Sequence, residues 1–444
     1  MFRSLFVRRR FYVAIWGISF LFLISFFVEP LFLVAWIVLG VFSVLLFFDL
    51  VQLFGPGTKS GVTGTRHLPI RFSNGDANEV ILEIENLLTH ALKVEVIDEI
   101  PYQFQKRDFA VKTTLKSRQP QKFSYSLTPV ERGVYSFGRL HLFVWNLPGF
   151  FSRRYSFCSK DVTVKVYPSF IQMRQFEIMA VGNRLSEMGV KKIRRIGHHS
   201  EFDQIRDYIK GDDVRTINWM ATARKGHLMV NQYQDEKSQP VFSIIDMGRT
   251  MKMPFNGMTL LDYAINTSLV ISNIALLKHD KAGLITFDHQ VRAVLPANRG
   301  GNHLQTIMEV LYQQTPGFLE HNLEALYTAV RRQVHQRSLL IFYTNFESWR
   351  SARRELFSLS RLAANHLLLV VFFENSEISS QIHQVADDTE TIYQQAIAEK
   401  FVYDKKMIVR ELERYGLSVI LTTPGKLTVD TVNRYLELKA LGRI

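Results

Sequence analysis

Two long uncharged stretches at the N-terminus constrain this chain more than any other feature. Phe11–Val28 and Leu31–Phe48 each run for 18 residues without a charged side chain, and only Glu29 and Pro30 separate them. The hydrocarbon core of a bilayer is about 30 Å thick and needs roughly 17–25 apolar residues in helical form. Pro30 ends the first helix and favours a tight turn. The sequence therefore predicts a transmembrane helical hairpin within residues 1–54.

Basic residues flank this hairpin at its outer ends. Arg3 and Arg8–Arg10 precede the first stretch, Lys59 and Arg66 follow the second, and the turn carries no cation. Cytoplasmic flanks of membrane helices are enriched in Lys and Arg, so both ends and everything after Phe54 are expected in the cytoplasm. A cleaved signal peptide is disfavoured because no small-residue cleavage site follows the first stretch. A soluble hairpin is disfavoured because Phe and Leu occur on all faces.

The amino-acid composition excludes several classes of protein and of site. Of the 444 residues, 47% are hydrophobic and 21% charged, which excludes a wholly disordered chain. Cys158 is the only cysteine, so an intrachain disulfide and a C-x-x-C zinc site are excluded. The net charge of +13 comes from basic residues spread among acidic ones, and we expect no nucleic-acid partner. Two basic clusters remain as candidate contacts with anionic lipid, an acidic partner or solvent: Arg8–Arg10, and Lys191, Lys192, Arg194 and Arg195.

A Gly-, Ser- and Thr-rich segment at residues 55–68 is expected to be a linker. After it, apolar residues alternate with polar ones in Val80–Ile84, Leu92–Val96, Phe123–Leu127, Leu140–Val144 and Val162–Val166. Short alternating segments separated by turn residues predict an immunoglobulin-like β-sandwich over residues 69–168. Four aromatic residues of this region are expected to pack in a core or between domains rather than form a binding face: Tyr102, Trp145, Phe150 and Phe151.

From residue 239 onwards, short apolar runs alternate with helical segments. The runs are Val241–Ile245, Ala282–Phe287, Ser338–Tyr343, Leu367–Phe373 and Val419–Leu421. The main helical candidates are Leu260–Leu277, His303–Tyr312, Leu323–Val334, Glu355–Ala364 and a stripe from Tyr393 to Tyr415. This alternation predicts a doubly wound α/β domain with a parallel sheet over residues 239–444. Ligands of such sheets bind at the carboxyl ends of the strands, so functional residues are expected directly after the runs.

The densest charged stretch lies between these two regions, within residues 169–238. Phe202, Ile205 and Ile209 are spaced as one face of a short helix, which Gly211 would end. Ile217 and Trp219 are expected to be buried within the charged residues that surround them, which are Arg206, Asp212, Asp213, Arg215 and Arg224.

This stretch resembles the signature of a bacterial family, the domain of unknown function 58. The matching residues are Glu201, Phe202, Arg206, Tyr208, Gly211, Asp212, Asp213, Val214, Arg215, Ile217, Trp219, Ala223 and Arg224. The resemblance extends over the whole chain and implies two spans in the bacterial inner membrane, a β-rich middle domain and a C-terminal von Willebrand factor A-like domain. It also implies a non-enzymatic adaptor that works with a MoxR-type AAA+ ATPase, and a transglutaminase-like membrane protein is a further candidate partner.

A von Willebrand factor A-like domain implies a metal site at the strand ends, built from a D-x-S-x-S loop, a Thr and a further Asp. Asp246 and Thr250 match that pattern, whereas Gly248, His321 and Asn345 occupy the other three positions. Two retained donors suit Mg²⁺ poorly because this ion dehydrates reluctantly. We therefore expect a degenerate site in which Asp246 caps a turn.

Two further residue sets are candidate sites. Asp212 and Asp213, with His198 and His199 nearby, are the candidate centre of a metal-dependent hydrolase. Arginines in the same motif would hold these carboxylates ionised and make them poor general acids, so a structural ion network is favoured. At the strand ends, four residues have the charged and aromatic character of interface anchors: Arg249, Phe346, Glu347 and Trp349.

The sequence thus favours a membrane-anchored adaptor that docks a cytoplasmic AAA+ ATPase during envelope protein assembly or maturation. Hydrolase-elbow, zincin and P-loop motifs do not occur in the chain. Two alternatives stay open at this point, the metal-dependent hydrolase and a structural subunit of an envelope complex that has no ATPase.

Overall fold

The computed structural model describes residues 4–55, 58, 61–106, 109–158, 162–181, 201–209, 212–234, 238–375 and 388–444. The chain divides into two compact units, Met1–Val166 and Tyr167–Ile444. The first contains apolar helices and antiparallel sheets, and the second contains a mixed sheet covered by helices.

The first unit begins with two apolar helices, α1 (Arg9–Ser25) and α2 (Pro30–Phe54). Pro30 is the first residue of α2, where its missing N–H removes no intrahelical hydrogen bond, so it starts the helix instead of interrupting it. α2 is long and apolar enough to cross a membrane, and α1 has 17 residues. Large apolar side chains are exposed on both helices, among them Trp16 and Phe47. This composition favours association with a membrane.

The rest of the first unit is antiparallel β-structure. Its strands are β1 (Leu5–Val7), β2 (Val62–His67), β3 (Arg71–Ser73), β4 (Asn78–Asn86), β5 (Leu92–Asp98), β6 (Ala110–Leu115), β7 (Pro120–Leu127), β8 (Gly133–Phe137), β9 (Leu140–Trp145), β10 (Phe151–Phe157) and β11 (Val162–Tyr167). They form one sheet of order β1–β10–β9–β5–β6 and two smaller sheets, β2–β4–β7 and β3–β11–β8.

All five alternating segments of the sequence lie in strands, because alternate residues of a strand point to the same face. Val80, Leu82 and Ile84 of β4 are fully buried in the apolar cores of this unit. The expectation that residues 55–68 form a linker is corrected by the structure, because this segment includes the strand β2. Val62 and Gly64 turn their face of β2 inward, and the strand pairs with β4 along its whole length.

The second unit contains helices and strands in alternation. The helices are α3 (Phe170–Val181), α4 (Trp219–Lys225), α5 (Leu260–Leu277), α6 (His303–Tyr312), α7 (Leu323–Gln333), α8 (Trp349–Asn365), α9 (Thr389–Arg414) and α10 (Leu427–Ala440). The strands are β12 (Glu201–Asp207), β13 (Met229–Gln234), β14 (Pro240–Asp246), β15 (Pro254–Phe255), β16 (Met258–Thr259), β17 (Lys281–Phe287), β18 (Val291–Asn298), β19 (Leu339–Tyr343), β20 (Leu367–Phe373) and β21 (Ser418–Thr422).

A six-stranded sheet organises this unit, in the order β18–β17–β14–β19–β20–β21. The five expected apolar runs form β14, β17, β19, β20 and β21, and these strands are parallel. β18 pairs antiparallel with β17 at one edge. The chain leaves β14 towards β17 on one side and later returns to β19 on the other side. The strand order therefore reverses between β14 and β19, which is where open α/β sheets form a crevice at their carboxyl edge.

Both faces of this sheet are covered. Val241 and Ile245 of β14 belong to one apolar core, whereas Phe242 and Ile244 belong to a second core on the opposite face. Residues of α5 and α10 contribute to the first core, and residues of α7, α8 and α9 contribute to the second. α5 is apolar and long enough to resemble a membrane helix, but 83% of its 18 residues are buried, as expected for the central helix of such a core.

Two expectations about residues 201–225 are wrong. The segment with Phe202 and Ile205 is not a helix but the strand β12, which pairs antiparallel with β13. Trp219 is 68% exposed at the start of α4, so its ring is not part of the core of this unit. Phe202, Ile205 and Ile209 have helical spacing, but in so short a segment the pairing with β13 decides the conformation.

Candidate functional site

The candidate site lies at the carboxyl ends of β14 and β19. Asp246 is the last residue of β14 and is fully buried, and Thr344 directly follows β19 and is also fully buried. Because parallel neighbouring strands end at the same edge, the two side chains meet. The Thr344 hydroxyl donates a hydrogen bond of 2.7 Å to Asp246 Oδ2.

The other oxygen of Asp246 is also engaged. The backbone N–H of Gly248 donates a hydrogen bond of 2.7 Å to Oδ1. The carboxylate therefore caps the turn that follows β14, as the sequence predicts. A buried carboxylate that accepts such bonds holds its own loop in place.

His321 supplies a positive charge beside this carboxylate. Its Nδ1 atom lies 2.8 Å from Asp246 Oδ2, and its Nε2 atom lies 3.0 Å from Glu355 Oε1 in an ion-pair contact without hydrogen-bond geometry. Burial opposes protonation of the ring, but the two carboxylates outweigh burial and raise the pKa of His321 to about 10. At neutral pH the site holds an imidazolium between two carboxylates.

Gly248 makes room for this histidine. A Cβ atom at residue 248 would lie 3.0 Å from Asp246 Oδ1 and 3.2 Å from the backbone nitrogen of His321. A side chain there would require Asp246 or His321 to shift by a few tenths of an ångström. Gly248 therefore leaves the space beside the Asp246 carboxylate that His321 occupies.

The residues at this edge do not fit a divalent cation. Asp246 accepts from Gly248 and Thr344 and faces the imidazolium of His321, whose positive charge opposes a cation at this carboxylate. Thr250 Oγ1 is buried and finds no hydrogen-bond partner within the described part of the chain, yet one hydroxyl is a poor ligand set for Mg²⁺. Among the same residues, no cluster of three His, Cys, Asp or Glu side chains is arranged to hold a metal ion.

The four expected anchor residues have different environments. Arg249 and Glu347 are exposed and form an ion pair of 3.2 Å on the surface. Phe346 is fully buried and packs edge-on against Phe372, so its ring is a core residue and not an accessible anchor. Trp349 is half-buried at the start of α8 and packs against the same core. Arg249 and Glu347 are therefore accessible and Trp349 is partly so, whereas the Phe346 ring is not.

A cavity of about 280 Å³ opens next to these residues at the carboxyl edge. Its apolar lining includes Met253, Phe255, Leu260, Phe373, Phe401, Val402 and Pro424, and its polar lining is Asn345, Glu347, Glu374, Asn375 and Lys405. Burial lowers the pKa of Lys405 to about 8, although Glu347 and Glu374 oppose that shift. The Lys405 ammonium donates to Asn345 Oδ1 at 2.7 Å and to the Phe346 carbonyl, so it is tied to the β19 loop.

An exposed apolar stripe on α9 leads into this cavity. Tyr393, Ile397 and Phe401 follow one another at intervals of four residues and therefore lie on one helix face. They are 72%, 46% and 46% exposed, whereas Ile408 and Leu412, further along the helix, are fully buried. The N-terminal half of α9 thus presents apolar surface that the described residues do not cover.

The signature segment forms a small ion pair and two caps. Arg206 contacts both oxygens of Asp212 at 2.7 and 2.8 Å, and the guanidinium lowers the pKa of Asp212. Asp213 does not join this pair. It accepts a hydrogen bond of 3.0 Å from the backbone N–H of Arg215 and so caps the helical turn Val214–Thr216, and Asn218 caps α4 in the same way.

Other signature residues have structural roles or lie elsewhere. The backbone N–H of Tyr208 donates to the carbonyl of Leu228 at 2.9 Å, and Arg224 lies in the last turn of α4. The remaining candidates fall outside the described residues or side chains: the side chains of Glu201 and Phe202, and the residues Gly211, His198, His199, Lys191, Lys192, Arg194 and Arg195. The expected grouping of the two histidines with Asp212 and Asp213 therefore lies outside the described residues.

Part of this unit matches a known protein family. Residues 204–376 match the family described as "Protein of unknown function DUF58". The match runs from within β12 through β20 and includes Asp246, His321, Thr344 and Glu355.

Curated bacterial relatives match the chain over a similar length. The uncharacterized protein Rv1480 of Mycobacterium tuberculosis is 24% identical over 177 residues, which is 39% of this chain and 55% of the relative. The uncharacterized protein YeaD of Bacillus subtilis is 24% identical over 196 residues, which is 44% of this chain and 46% of the relative. The chain spans about half the length of the curated relatives it matches.

Solved structures resemble the chain only distantly. Proximal thread matrix protein 1 from the mussel byssus is 11% identical, covers 45% of this chain and of its own chain, and has a TM-score of 0.27. A PapD-like domain of human CEP192 is 20% identical, covers 25% of this chain and 93% of its own, and has a TM-score of 0.17. At these TM-scores neither likeness carries an argument.

Sequence reasoning missed two residues of the site. Glu355 is the second carboxylate on His321, and it lies within α8 rather than directly after a strand. Lys405 belongs to α9, far along the chain from the loop it contacts. Neither residue stands in a local motif, so only the packing of α8 and α9 on the sheet reveals them.

Proposed function

We propose that the protein is a non-enzymatic, membrane-anchored adaptor whose C-terminal unit docks a cytoplasmic protein at the carboxyl edge of its sheet. The observation that carries this proposal is the apolar stripe of Tyr393, Ile397 and Phe401, which continues into the neighbouring cavity. Contiguous exposed apolar surface beside polar residues is typical of protein interaction sites. An apolar side chain of the partner would enter the cavity, and the rim charges of Arg249 and Glu347 would fix its orientation.

The partner we propose is a MoxR-type AAA+ ATPase, and the pathway is envelope protein assembly or maturation. The support for this partner is the resemblance of the signature segment to the DUF58 family, together with the match of residues 204–376. A transglutaminase-like membrane protein is the second candidate partner on the same ground. A structural subunit that functions without an ATPase is the alternative that the test below distinguishes.

We further propose that α1 and α2 form a two-span anchor in the bacterial inner membrane, with the termini and both folded units in the cytoplasm. The lengths and apolar composition of these helices support this arrangement, as do the basic residues at their outer ends. In the same proposal the β-rich region is an immunoglobulin-like sandwich, and the α/β unit is von Willebrand factor A-like with a degenerate metal site.

The geometry of the acidic residues argues against the hydrolase alternative. Asp212 is held ionised by the bidentate contact with Arg206, which makes it a poor general acid. Asp213 is occupied as a cap, and Asp246 is enclosed by donors. Each of these carboxylates already has a structural partner.

Co-purification tests the proposed function. The full chain is isolated in mild detergent from its bacterial host, with and without ATP, and the bound proteins are identified by mass spectrometry. We expect a MoxR-type AAA+ ATPase to be recovered with the wild type in a nucleotide-dependent manner. We expect Phe401→Asp to abolish that recovery, because a charge would enter the mouth of an apolar cavity.

Phe357→Asp is the matched control, since Phe357 is 69% exposed on α8 and does not line the cavity. It should capture the ATPase as the wild type does. Equal recovery with Phe401→Asp and Phe357→Asp would place the docking site elsewhere. Recovery of envelope proteins without any ATPase would favour the structural-subunit alternative.

A further inference from the structure

The apolar helices and the β-structure of the first unit are joined by an extensive set of contacts. β1, which precedes α1, pairs antiparallel with β10 from Leu5–Arg153 to Val7–Phe151. The backbone N–H of Arg8 then donates to the carbonyl of Phe150 at 2.9 Å. The chain therefore enters α1 directly from the edge of a sheet, without an intervening linker.

Asp49 makes the corresponding connection from α2. This residue is fully buried, and its Oδ2 atom accepts hydrogen bonds from the backbone N–H groups of Phe150 and Phe151 at 2.8 and 2.9 Å. Just beyond it, Arg153 donates to the carbonyl of Leu53 at 2.7 Å. A buried carboxyl group that accepts two backbone N–H bonds holds both segments together, because losing those bonds would leave buried polar groups without partners.

Two of the N-terminal arginines also contact the loop between β9 and β10. The Arg8 guanidinium stacks on the ring of Trp145 at 3.8 Å, and Arg10 donates to the carbonyl of Pro148 at 3.0 Å. These arginines are therefore not simply a solvated basic run. They bind the loop Asn146–Phe150 to the first turn of α1.

The length of the apolar stretch fixes the depth of that loop. At a rise of about 1.5 Å per residue, the 17 residues of α1 reach about 26 Å, and a hydrocarbon core is about 30 Å thick. If α1 spans a bilayer, it has no residues to spare, so its first turn, which contains Phe11, lies at the hydrocarbon boundary.

Aromatic contacts extend that boundary to the loop. The rings of Phe11 and Phe151 are 5.6 Å apart, and those of Phe42 and Phe150 are 5.2 Å apart. Phe150 and Phe151 therefore lie at the same depth as Phe11. Next to them, Leu147 is 66% exposed, an apolar side chain at the level where headgroups meet acyl chains.

We propose that the loop Asn146–Phe150 inserts into the membrane interface, with Leu147 in contact with lipid, so that the β-structure is held on the bilayer surface as one rigid body with the hairpin. This inference rests on the proposed membrane anchor. Lipid is the occupant because the loop is continuous with the helices at their basic end, where Arg9 is exposed and able to meet lipid phosphates.

Fluorescent labelling of the full chain tests this proposal. In a Cys158→Ser background, single cysteines at Leu147→Cys, Phe20→Cys and Tyr102→Cys carry an environment-sensitive dye in nanodiscs of phosphatidylcholine and phosphatidylglycerol. Phe20 lies within α1 and is the positive control for membrane insertion. We expect the dyes at positions 147 and 20 to lose fluorescence when the nanodiscs contain a spin-labelled phosphatidylcholine.

Tyr102→Cys is the matched control within the β-structure. Tyr102 is 81% exposed and follows β5, whose Asp98 pairs with Leu140 at the end of β9 opposite to Trp145. Its dye should keep its fluorescence. Quenching at position 20 but not at position 147 overturns the loop insertion and leaves the membrane anchor intact. Absence of quenching at position 20 overturns the anchor and the insertion together.

Discussion

His321 places a positive charge between two carboxylates at the strand-end loops. The ring lies between Asp246 and Glu355, and this arrangement raises its pKa to about 10. The consequence is a carboxyl edge held together by the chain's own side chains. We therefore expect the stability of this edge to depend on pH.

Substitution of His321 tests this charge. Because the folded-state pKa lies above the usual value of 6.5, the contribution to stability is complete below about pH 6.5 and is lost as the pH rises towards 10. We expect His321→Gln to lower the free energy of unfolding by about 3 kcal/mol near neutral pH, because Asp246 and Glu355 lose their counter-charge. In detergent, the difference in thermal midpoint between wild type and variant should narrow as the pH approaches 10. A difference that stays constant with pH would show that the histidine acts through packing alone.

Sequence reasoning located part of this site and missed the rest for a physical reason. Asp246 is expected at this edge because functional residues of a parallel sheet follow its strands, whereas His321 enters only through the resemblance to a von Willebrand factor A-like metal site. The contact with Glu355 depends on how α8 packs, which no local pattern encodes. Trp219 shows the reverse error. An aromatic residue within a charged segment is expected to be buried, but Trp219 is exposed in the structure.

The elements themselves were more predictable than their pairing. The runs that form β14, β17, β19, β20 and β21 are apolar on both faces, which marks buried parallel strands. α5 was found with its observed bounds because it is long and apolar throughout. β12 reads as a helix and β2 as a linker, because neither segment is a continuous apolar run and each is stabilised by pairing with another strand.

The start of α5 offers a test at the scale of one element. Thr259 accepts a hydrogen bond from the backbone N–H of Asp262 at 3.2 Å, and the Asp262 carboxylate accepts from the Thr259 backbone N–H at 3.3 Å, which together form a capping box. We expect Thr259→Ala to lower the free energy of unfolding by about 1 kcal/mol, and Thr259→Ser to retain the wild-type value because the hydroxyl remains. Both are measured by thermal unfolding of the full chain in detergent. Equal losses for the two substitutions would indicate that the methyl group, not the cap, is what matters.

At the scale of the whole molecule, the two units bury their apolar residues in different ways. The first unit exposes apolar helices and buries its β-strands in antiparallel sheets, whereas the second buries both faces of its sheet under helices. The sequence indicates this division because apolar residues recur at every second position in the β-rich region, whereas apolar runs alternate with helical segments after residue 239. It does not indicate that Arg8, Arg10 and Asp49 bind the hairpin to the β9–β10 loop, because those contacts join residues far apart in the chain.

The orientation of the chain in the membrane is the prediction with the widest consequences, because the proposed partner is cytoplasmic. The basic residues lie at the outer ends of α1 and α2, and the turn between them carries Glu29 and no cation, so both outer ends should face the cytoplasm. A green fluorescent protein fused after Ile444 should therefore fluoresce, and alkaline phosphatase fused at the same position should be inactive. Fusions to a chain truncated after Val28 are the control, since a single span should carry the reporter across and reverse both results. Active phosphatase after Ile444 would place the folded units outside the cytoplasm and remove the docking proposal with them.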